Sequence, residues 1–259
     1  MRRALAKGTW VITGAASGFG REFARRLAER GEPLALWDRE VEGARATAAS
    51  IPGARTLVVE VDVTDEASVQ RAAETTRREL GSVAHVIHCA GVLRTGPATE
   101  VSAADHALMI QVNYLGSVHV TQALLPQLRA VSGGRATLML TASVAGLRGF
   151  PELAGYSASK FAVVGFAQAL RDELVGSKVD VKVLCPPPGD TPMVRDLPRR
   201  PPVYRLSKLY GAEEIVAATL KQLEGRRWLL LVDVGSRALH ALDGVVPSLV
   251  DRIIRIASR

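Results

Sequence analysis

The chain contains 259 residues, of which 47% are hydrophobic and 23% are charged, and its formal net charge is +7. This composition is typical of a folded globular domain and argues against disorder. No apolar run approaches the roughly 18 residues that a membrane span needs. The arginines are scattered, with no aromatic residues interleaved among them, so we do not expect a nucleic-acid partner.

Short β-branched segments alternate along the chain with longer helical patterns. Strands are predicted over 8–13, 33–38, 56–62, 84–91, 135–143, 178–186 and 228–232. Helices are predicted over 20–31, 41–49, 65–80, 103–130, 156–175 and 211–223. This alternation predicts an α/β fold with a doubly wound, mainly parallel sheet in one domain, residues 1–259.

Two segments near the C-terminus depart from this alternation. The proline-rich stretch 186–203 is expected to lack regular structure and to form part of a substrate loop near 186–210. The segment near 234–259 is basic and amphipathic, and Pro247 interrupts it. We expect it to pack on the domain or on another subunit; contact with a membrane surface is the less favoured alternative. Its apolar residues at nearly heptad spacing are Leu239, Leu242, Val246, Leu249, Ile253 and Ile256.

The sequence TGAASGFG at 13–20 follows the first predicted strand and opens the first predicted helix. Its glycines allow a tight turn, and the amino end of the helix offers free N–H groups to a pyrophosphate. Asp38 ends the second strand, where a carboxylate can bind ribose hydroxyls and would repel the 2′-phosphate of NADP. We therefore predict dinucleotide binding with NAD preferred, and NADP as the alternative through Arg39.

Tyr156 and Lys160 lie about one turn apart on the same side of a predicted helix. Taken alone, the pair favours a surface contact in which the lysine stem covers the ring. The alternative is a phenol that a neighbouring cation helps to lose its proton. A tyrosine titrates near 10, and about 3–4 kcal/mol is needed to bring it near neutral pH. An ammonium at about 4 Å supplies roughly that energy at an effective dielectric near 20.

Further motifs accompany this pair and the glycine turn: DVT at 62–64, CAG at 89–91, Asn113, Ser143, YSASK at 156–160 and PGDTPM at 188–193. With them, the chain resembles the short-chain dehydrogenase/reductase family over nearly its whole length. The resemblance implies a Rossmann fold and a homodimer or homotetramer. It also implies a cofactor site formed by Gly14, Ser17, Gly18, Phe19, Gly20, Asp38, Arg39, Asp62, Val63, Ala90, Gly91, Tyr156, Lys160, Gly189 and Thr191.

The resemblance also implies a role for each catalytic residue. Tyr156 would be the acid/base, and Ser143 would hold the substrate oxygen. Lys160 would bind the nicotinamide ribose and lower the pKa of Tyr156, while Asn113 would support a water that links Lys160 to solvent. Asp62 and Val63 would lie near the adenine, Ala90 and Gly91 near its ribose, and Gly189 and Thr191 beside the nicotinamide.

One residue departs from the family pattern: Cys89 stands where the family usually has asparagine. Because cysteine is a weak hydrogen-bond partner, we expect it to loosen the central sheet or the cofactor pocket but to touch no catalytic group. We expect both Cys89 and Cys185 to pack in the core. Two cysteines do not make a disulfide framework, and the first residues make a poor secretory signal, so a cytoplasmic location is expected. No histidine has ligand spacing with cysteine or glutamate, so no metal site is expected.

The predicted function is that of an NAD(P)-dependent oxidoreductase that interconverts a secondary alcohol and a ketone. The small-molecule substrate is expected to be hydrophobic and steroid-, retinoid- or long-chain keto-like, because apolar residues occupy the loops around the nicotinamide. Arginines at 148, 195, 199 and 200 leave an anionic substrate as an alternative. A catalytically silent dinucleotide-binding regulator or scaffold is the second hypothesis. The apolar loop residues are Val92, Leu93, Val144, Leu147, Phe150, Leu153, Met193, Val194 and Leu197.

Overall fold

A computed structural model of the chain describes residues 4–206 and 208–257. Three parts of the predicted regions lie outside the described residues: 1–3 of the domain, 207 of the substrate loop, and 258–259 of the C-terminal segment. Strands are β1 (Thr9–Thr13), β2 (Leu34–Asp38), β3 (Thr56–Glu60), β4 (Val83–His88), β5 (Ala136–Thr141), β6 (Val179–Leu184), β7 (Gly189–Asp190), β8 (Tyr210–Gly211) and β9 (Leu229–Leu230). Helices are α1 (Gly18–Ala28), α2 (Val41–Ala49), α3 (Glu66–Leu80), α4 (Ala103–Met109), α5 (Gly116–Arg129), α6 (Ala154–Glu173), α7 (Pro192–Arg195), α8 (Ala212–Leu223), α9 (Val234–Val245) and α10 (Pro247–Ala257).

Seven of these strands form one parallel sheet in the order β3-β2-β1-β4-β5-β6-β9. In register, Val11 of β1 lies opposite Ala35 of β2 on one side and Val86 of β4 on the other. From β1, successive strands are added to one side of the sheet as far as β3, and from β4 they are added to the other side. In such sheets a crevice opens at the carboxyl ends of the two strands where the order reverses, here β1 and β4. The predicted doubly wound α/β domain, a Rossmann fold, is confirmed.

The helices cover both faces of the sheet because the side chains of each strand alternate. Trp10 and Ile12 of β1 belong to a buried cluster with Phe23 of α1. Val11 belongs to the cluster on the opposite face, with Val163 of α6. With both faces of the sheet buried, its carboxyl edge is where side chains can line a ligand site.

The helix predicted over 103–130 is present from Ala103 to Arg129, but its winding changes in the middle, which the sequence did not predict. A π-helical segment, Ile110–Leu115, joins α4 to α5 and contains Asn113. A π-helical turn is wider than an α-helical one and often marks a functional position. Apolar periodicity does not reveal it, because the pattern continues on both sides.

The expectation that 186–203 lacks regular structure is also wrong. The segment contains β7, which pairs in parallel with β8, and then α7. Helix α7 is followed by a 3₁₀ turn, Pro202–Leu206. Pro192 is the first residue of α7, where its missing N–H has no intrahelical partner to lose. The prolines therefore limit the length of these elements without preventing them.

The C-terminal segment forms α9 and α10, and Pro247 begins the second helix. Val250 and Ile254 are buried in a cluster with Phe150 and Leu153. Most of the predicted stripe is exposed, so α10 packs on the domain through Val250 and Ile254 and not through the stripe. Packing of the stripe on another subunit stays a prediction. The heptad spacing fails because Pro247 starts a new helix axis, whose orientation the Val250–Ile254 contacts set. The stripe residues that are exposed are Leu242, Val246, Leu249, Ile253 and Ile256.

Candidate active site

The glycine turn between β1 and α1 has the backbone conformation that a phosphate-binding loop requires. Gly14 has φ +67° and Gly18 has φ +51°, a region that side-chain-bearing residues rarely adopt. A Cβ on Gly20 would lie 2.1 Å from the Gly14 carbonyl oxygen, so α1 approaches the turn as closely as it can. This packing leaves the first amides of α1 directed at the crevice.

A cleft of about 230 Å³ runs from this turn along the carboxyl edge of the sheet. Its wall includes Asp38, whose Oδ2 accepts a hydrogen bond from the Ala16 N–H at 2.8 Å. Its Oδ1 accepts from the Glu40 N–H at 2.9 Å, so Asp38 also fixes the two backbone segments beside it. The predicted residues that line the cleft are Gly14, Ser17, Gly18, Phe19, Gly20, Asp38, Arg39, Asp62, Val63, Ala90, Gly91 and Thr191.

Asp62 begins the turn that carries the far wall of the cleft. Its Oδ1 accepts hydrogen bonds from the Thr64 N–H at 2.9 Å and the Thr64 hydroxyl at 2.7 Å. Those two bonds lower the pKa of Asp62 below its usual range. The carboxylate is therefore held as an anion that positions Val63 at the cleft.

A second cavity, of about 390 Å³, adjoins the cleft and contains the other predicted group of residues. Ser143, which follows β5, and Tyr156 and Lys160 of α6 all line it. The Ser143 Oγ accepts a hydrogen bond from the Ala145 N–H at 3.1 Å, which leaves its own proton free to be donated. One cavity thus brings together the Ser143 hydroxyl, the Tyr156 hydroxyl and the Lys160 amine.

Lys160 is buried, with 4% of its surface exposed, so the pair with Tyr156 is not a surface contact. Its Nζ donates a hydrogen bond to the Thr141 carbonyl at 2.8 Å and lies 5.7 Å from the centre of the Tyr156 ring. Burial lowers the pKa of Lys160 to about 8. A Cβ on Gly91 would lie 3.1 Å from the Asn113 Oδ1, which is a tight contact, and 3.5 Å from Nζ, which is an ordinary one.

The expected lowering of the Tyr156 pKa is wrong for the free protein. Burial raises the pKa of Tyr156 above its usual value, the nearby Tyr204 raises it further, and a hydrogen bond with Ser143 opposes the rise. Lys160 does not offset this, because its own pKa is about 8 and the lysine has lost its charge before the phenol titrates. The phenol is therefore neutral at physiological pH.

Asn113 lies behind the cavity and is buried. Its Nδ2 donates to the Val92 carbonyl at 3.0 Å and to the Ser159 Oγ at 2.9 Å. Its Oδ1 accepts from the Val92 N–H at 2.8 Å. The amide therefore joins the loop after β4 to α6, beside Lys160; its predicted support of a water stays a prediction.

Gly189 and Thr191 bring the small β7 strand against the glycine turn. A Cβ on Gly189 would lie 2.6 Å from the ring of Phe19, and one on Gly18 would lie 3.4 Å from the Thr191 methyl group. Both Phe19 and Thr191 line the cleft and the cavity. The two spaces therefore form one continuous site that crosses from β1 and β2 to β5 and α6.

The family model for short chain dehydrogenase matches residues 9–201, which include the whole glycine turn, Ser143, Tyr156 and Lys160. The chain belongs to the short-chain dehydrogenase family. This confirms the resemblance found in the sequence and makes the protein a member of an oxidoreductase family.

Relatives of this short-chain dehydrogenase include enzymes of known activity. It is 34% identical over 200 residues to a 2-dehydro-3-deoxy-L-rhamnonate dehydrogenase (NAD(+)) of Sphingomonas sp., covering 77% of this chain and 79% of that protein. A short chain dehydrogenase/reductase from Burkholderia phymatum, solved in complex with NAD, is 29% identical with TM-score 0.84 and 95% coverage of both chains. A short chain dehydrogenase from Burkholderia cenocepacia, solved in complex with NADP, is 25% identical with TM-score 0.82, covering 96% of this chain and 98% of that one.

The cavity wall of this short-chain dehydrogenase is apolar where the sequence predicted it. Val92 lines the cleft instead, and neither Leu147 nor Leu197 is part of the described cavity lining. The sequence analysis did not name a second group of lining residues. Some of them lie in the predicted substrate loop near 186–210, and the others come from α9, α10 and the residue before α9, far along the chain. The predicted lining residues found there are Leu93, Val144, Phe150, Leu153, Met193 and Val194; the missed ones include Val203, Tyr204, Tyr210, Asp233, Ser236, Leu239, Leu242, Val250, Ile253 and Ile254.

The arginines considered for an anionic substrate are directed elsewhere. Arg148 forms ion pairs with Asp243 of α9 and Asp251 of α10. Arg195 pairs with Asp190 at 2.7 Å, and Arg199 pairs with Glu152 at 2.6 Å. The described lining of the cavity includes none of the four predicted arginines, so their contribution to an anionic site is not supported.

Cys89 is closer to the site than expected. It lines both the cleft and the cavity, so core packing is not its whole environment. Its Sγ lies 3.5 Å from the Thr141 Oγ1, on the residue whose carbonyl binds Lys160. Cys185 is buried, as predicted, and both thiols are free. Burial raises the pKa of Cys89 to about 12, so it remains a neutral thiol.

The strand histidines are buried and neutral. His85 Nε2 lies 2.8 Å from the Ala6 carbonyl, and His88 Nδ1 lies 2.8 Å from the Thr13 hydroxyl. Burial lowers the pKa of His85 to about 4 and that of His88 to about 3. Neither group lines the described cavity, so Tyr156 has no histidine competitor there for proton transfer.

Proposed function

We propose that this protein is an NAD(P)-dependent oxidoreductase that interconverts a hydrophobic secondary alcohol and its ketone. One observation carries the proposal: Tyr156, Ser143 and Lys160 line a single cavity that opens into the cleft formed by the glycine turn. A hydroxyl pair beside an ammonium suits a substrate oxygen that gains or loses a proton.

The cleft fits a dinucleotide. The amides at the start of α1 suit a pyrophosphate, and the absence of side chains at Gly14 and Gly20 permits the close approach that such a ligand needs. Asp38 would bind ribose hydroxyls, with Asp62 and Val63 near the adenine. A bound nicotinamide would supply hydride chemistry.

Tyr156 would serve as the proton donor and acceptor. Its raised pKa keeps the phenol protonated in the free protein, so it has a proton ready for a carbonyl oxygen during ketone reduction. Ser143 would hold that oxygen, because its hydroxyl proton is not used by its bond to the Ala145 amide. Both groups lie on rigid elements, which keeps their geometry fixed.

Lys160 and Asn113 would support this chemistry from behind. The Lys160 ammonium faces the end of β4, where the ribose of a nicotinamide would bind, and Gly189 and Thr191 would border the ring. Asn113 would position Lys160 through Ser159 and the Val92 backbone. The contacts of Asn113 with protein groups make it a positioning residue in this proposal.

We propose NAD as the preferred cofactor. Two carboxylates, Asp38 and Glu40, line the cleft where a 2′-phosphate would lie, against one cation, Arg39. The Arg39 Nε lies 3.8 Å from the Glu40 Oε1, so the Glu40 carboxylate already balances part of the Arg39 charge. A relative solved with NADP shows that the fold also accepts that cofactor.

The substrate would be apolar and roughly steroid-, retinoid- or long-chain-sized. The support is the cavity volume of about 390 Å³ and a wall built from Leu93, Phe150, Val250 and Ile254. Volumes of that order suit drug-sized ligands, whose apolar surface is then removed from water. The homodimer or homotetramer and the cytoplasmic location stay predictions; among the described residues, no helix is long and apolar enough to cross a membrane.

Turnover on a panel of apolar ketones and alcohols tests the proposal, with NADH or NADPH supplied. We expect Tyr156→Phe to reduce kcat roughly 100- to 10,000-fold, because the general acid is lost, while cofactor fluorescence titration shows nearly unchanged affinity. Tyr114→Phe is the matched control, since Tyr114 packs against Phe166 and is not among the described residues that line the cavity.

Equal turnover in the wild type and Tyr156→Phe would remove Tyr156 from the proton-transfer step. Tight cofactor binding without turnover on the whole panel would favour the regulator or scaffold hypothesis instead.

A further inference from the structure

The outer surface of α9 and α10 is apolar and carries no covering element in the described part of the chain. We call it the C-terminal face and define it by Val245, Val246, Leu249, Ile253 and Ile256. On α10, Leu249, Ile253 and Ile256 are 53%, 49% and 65% exposed, and their spacing of four and three residues places them on one side. Val250 and Ile254 occupy the neighbouring side and are buried.

The charged groups around this face are mixed, with three arginines (148, 252 and 255) against two aspartates. The two acidic residues of the helix pair, Asp243 and Asp251, are both bound by Arg148 from the loop after β5. Arg252 and Arg255 of α10 are exposed, and neither forms an ion pair within residues 4–206 and 208–257. Arg252 precedes Ile253 by one position, so a cation flanks the apolar stripe.

The C-terminal face is continuous with the mouth of the cavity. Ile253 is half exposed at the surface and also lines the cavity, and so does Leu242 of α9. Met193 of α7 has the same double position. Apolar side chains of Met193, Leu242 and Ile253 therefore connect the outer surface with the cavity that Tyr156 lines.

We propose that the C-terminal face binds an anionic lipid surface and that apolar substrates enter the cavity from it. An amphipathic helix with an apolar side and flanking arginines suits the boundary between lipid headgroups and acyl chains. A symmetric contact between two copies would bring the unpaired arginines of both copies together, which disfavours that occupant. Lipid binding is separate from turnover, so it is testable whether or not the proposed reaction occurs.

The experiment is co-sedimentation of the full-length protein with vesicles of phosphatidylcholine alone or of phosphatidylcholine with phosphatidylglycerol. We expect binding to the anionic vesicles, weakened by salt because the arginine attraction is screened. Arg252→Gln combined with Arg255→Gln is expected to weaken binding roughly 25-fold, at roughly fivefold for each arginine. Leu249→Gln combined with Ile256→Gln is expected to weaken it by roughly tenfold or more.

Matched controls lie at the opposite, amino edge of the sheet. Val175→Gln removes an apolar side chain that is 81% exposed, after the end of α6. Arg129→Gln removes an exposed arginine at the end of α5. Both controls are expected to bind like the wild type, and circular dichroism with thermal unfolding establishes that every variant is folded.

Three results overturn the proposal. The first is no binding of the wild type to the anionic vesicles. The second is unchanged binding by the folded Leu249→Gln, Ile256→Gln variant. The third comes from analytical ultracentrifugation: an oligomer that this variant converts to a monomer would make the C-terminal face an interface between copies.

Discussion

Replacing Lys160 by methionine should change how the stability of the protein depends on pH. Burial lowers the pKa of this lysine from 10.5 to about 8 in the folded protein. Below about pH 8 the lysine is protonated in both states, and the folded state carries the full cost of a buried ammonium. Between about pH 8 and about pH 10.5 the unfolded chain binds the proton more tightly, so the free energy of unfolding rises with pH.

The size of this rise follows from the same two values. One pH unit across that window corresponds to about 1.4 kcal/mol, which gives about 3 kcal/mol in total. The methionine variant has no such rise, so its free energy of unfolding relative to the wild type should fall by about 3 kcal/mol from neutral to alkaline pH. At neutral pH we expect the variant to be the more stable protein by about 2 kcal/mol, after about 1 kcal/mol for the lost bond to the Thr141 carbonyl.

The assay is urea unfolding of both proteins without dinucleotide, at several pH values from about 7 to about 10.5. Lys221→Met, which removes an exposed lysine of α8, controls for the loss of a lysine as such. A constant difference between wild type and Lys160→Met across this range would refute the reasoning, because it would mean that the ammonium is not desolvated in the folded state.

Three other changes test separate parts of the site. Asp38→Ser should shift the NADPH-to-NADH affinity ratio towards NADPH by on the order of tenfold, since one of the two carboxylates at the 2′-phosphate position is lost; an unchanged ratio in fluorescence titrations would contradict the NAD assignment. Gly20→Ala should lower the free energy of unfolding by about 1–3 kcal/mol or more and impair dinucleotide binding, because its Cβ would lie 2.1 Å from a carbonyl oxygen. Gly165→Ala, with open space around its Cβ, is the control in urea unfolding. Arg148→Gln should speed amide hydrogen exchange in α9 and α10 but not in the sheet, because Asp243 and Asp251 lose their common partner. Exchange rates in α9 and α10 that equal those of the wild type would show that the ion pairs do not hold the two helices.

The fold was predictable because its signals are local and repeated. The prediction of α2 over 41–49 matches the structure at both ends, and the glycine turn lies between β1 and α1 as its spacing indicated. Apolar alternation and glycine placement each depend on a few consecutive residues. Errors came where the decisive contact is distant in sequence. One such case is the π-helical segment at 110–115. Another is the side of α10 that is buried, which carries Val250 and Ile254.

Which residues line the candidate site could be predicted from the sequence, but the pKa of its central residue, Tyr156, could not. The spacing of Tyr156 and Lys160 indicated that they share a helix side, and both line the cavity. Spacing does not give burial, so the sequence suggested a lowered pKa for Tyr156, where desolvation raises it. Tyr204, which contributes to that rise, belongs to a 3₁₀ turn that the proline-rich sequence concealed.

The central sheet and the cavity are completed at different points of the chain. The last sheet strand, β9, is complete at Leu230, and the cleft for the dinucleotide draws on no residue after Met193 among those described. The last residues along the chain that line the cavity come from α9 and α10 and include Leu239, Val250 and Ile254. Exchanging only the last two helices would therefore reshape the cavity and leave the strands of the sheet and the lining of the cleft unchanged.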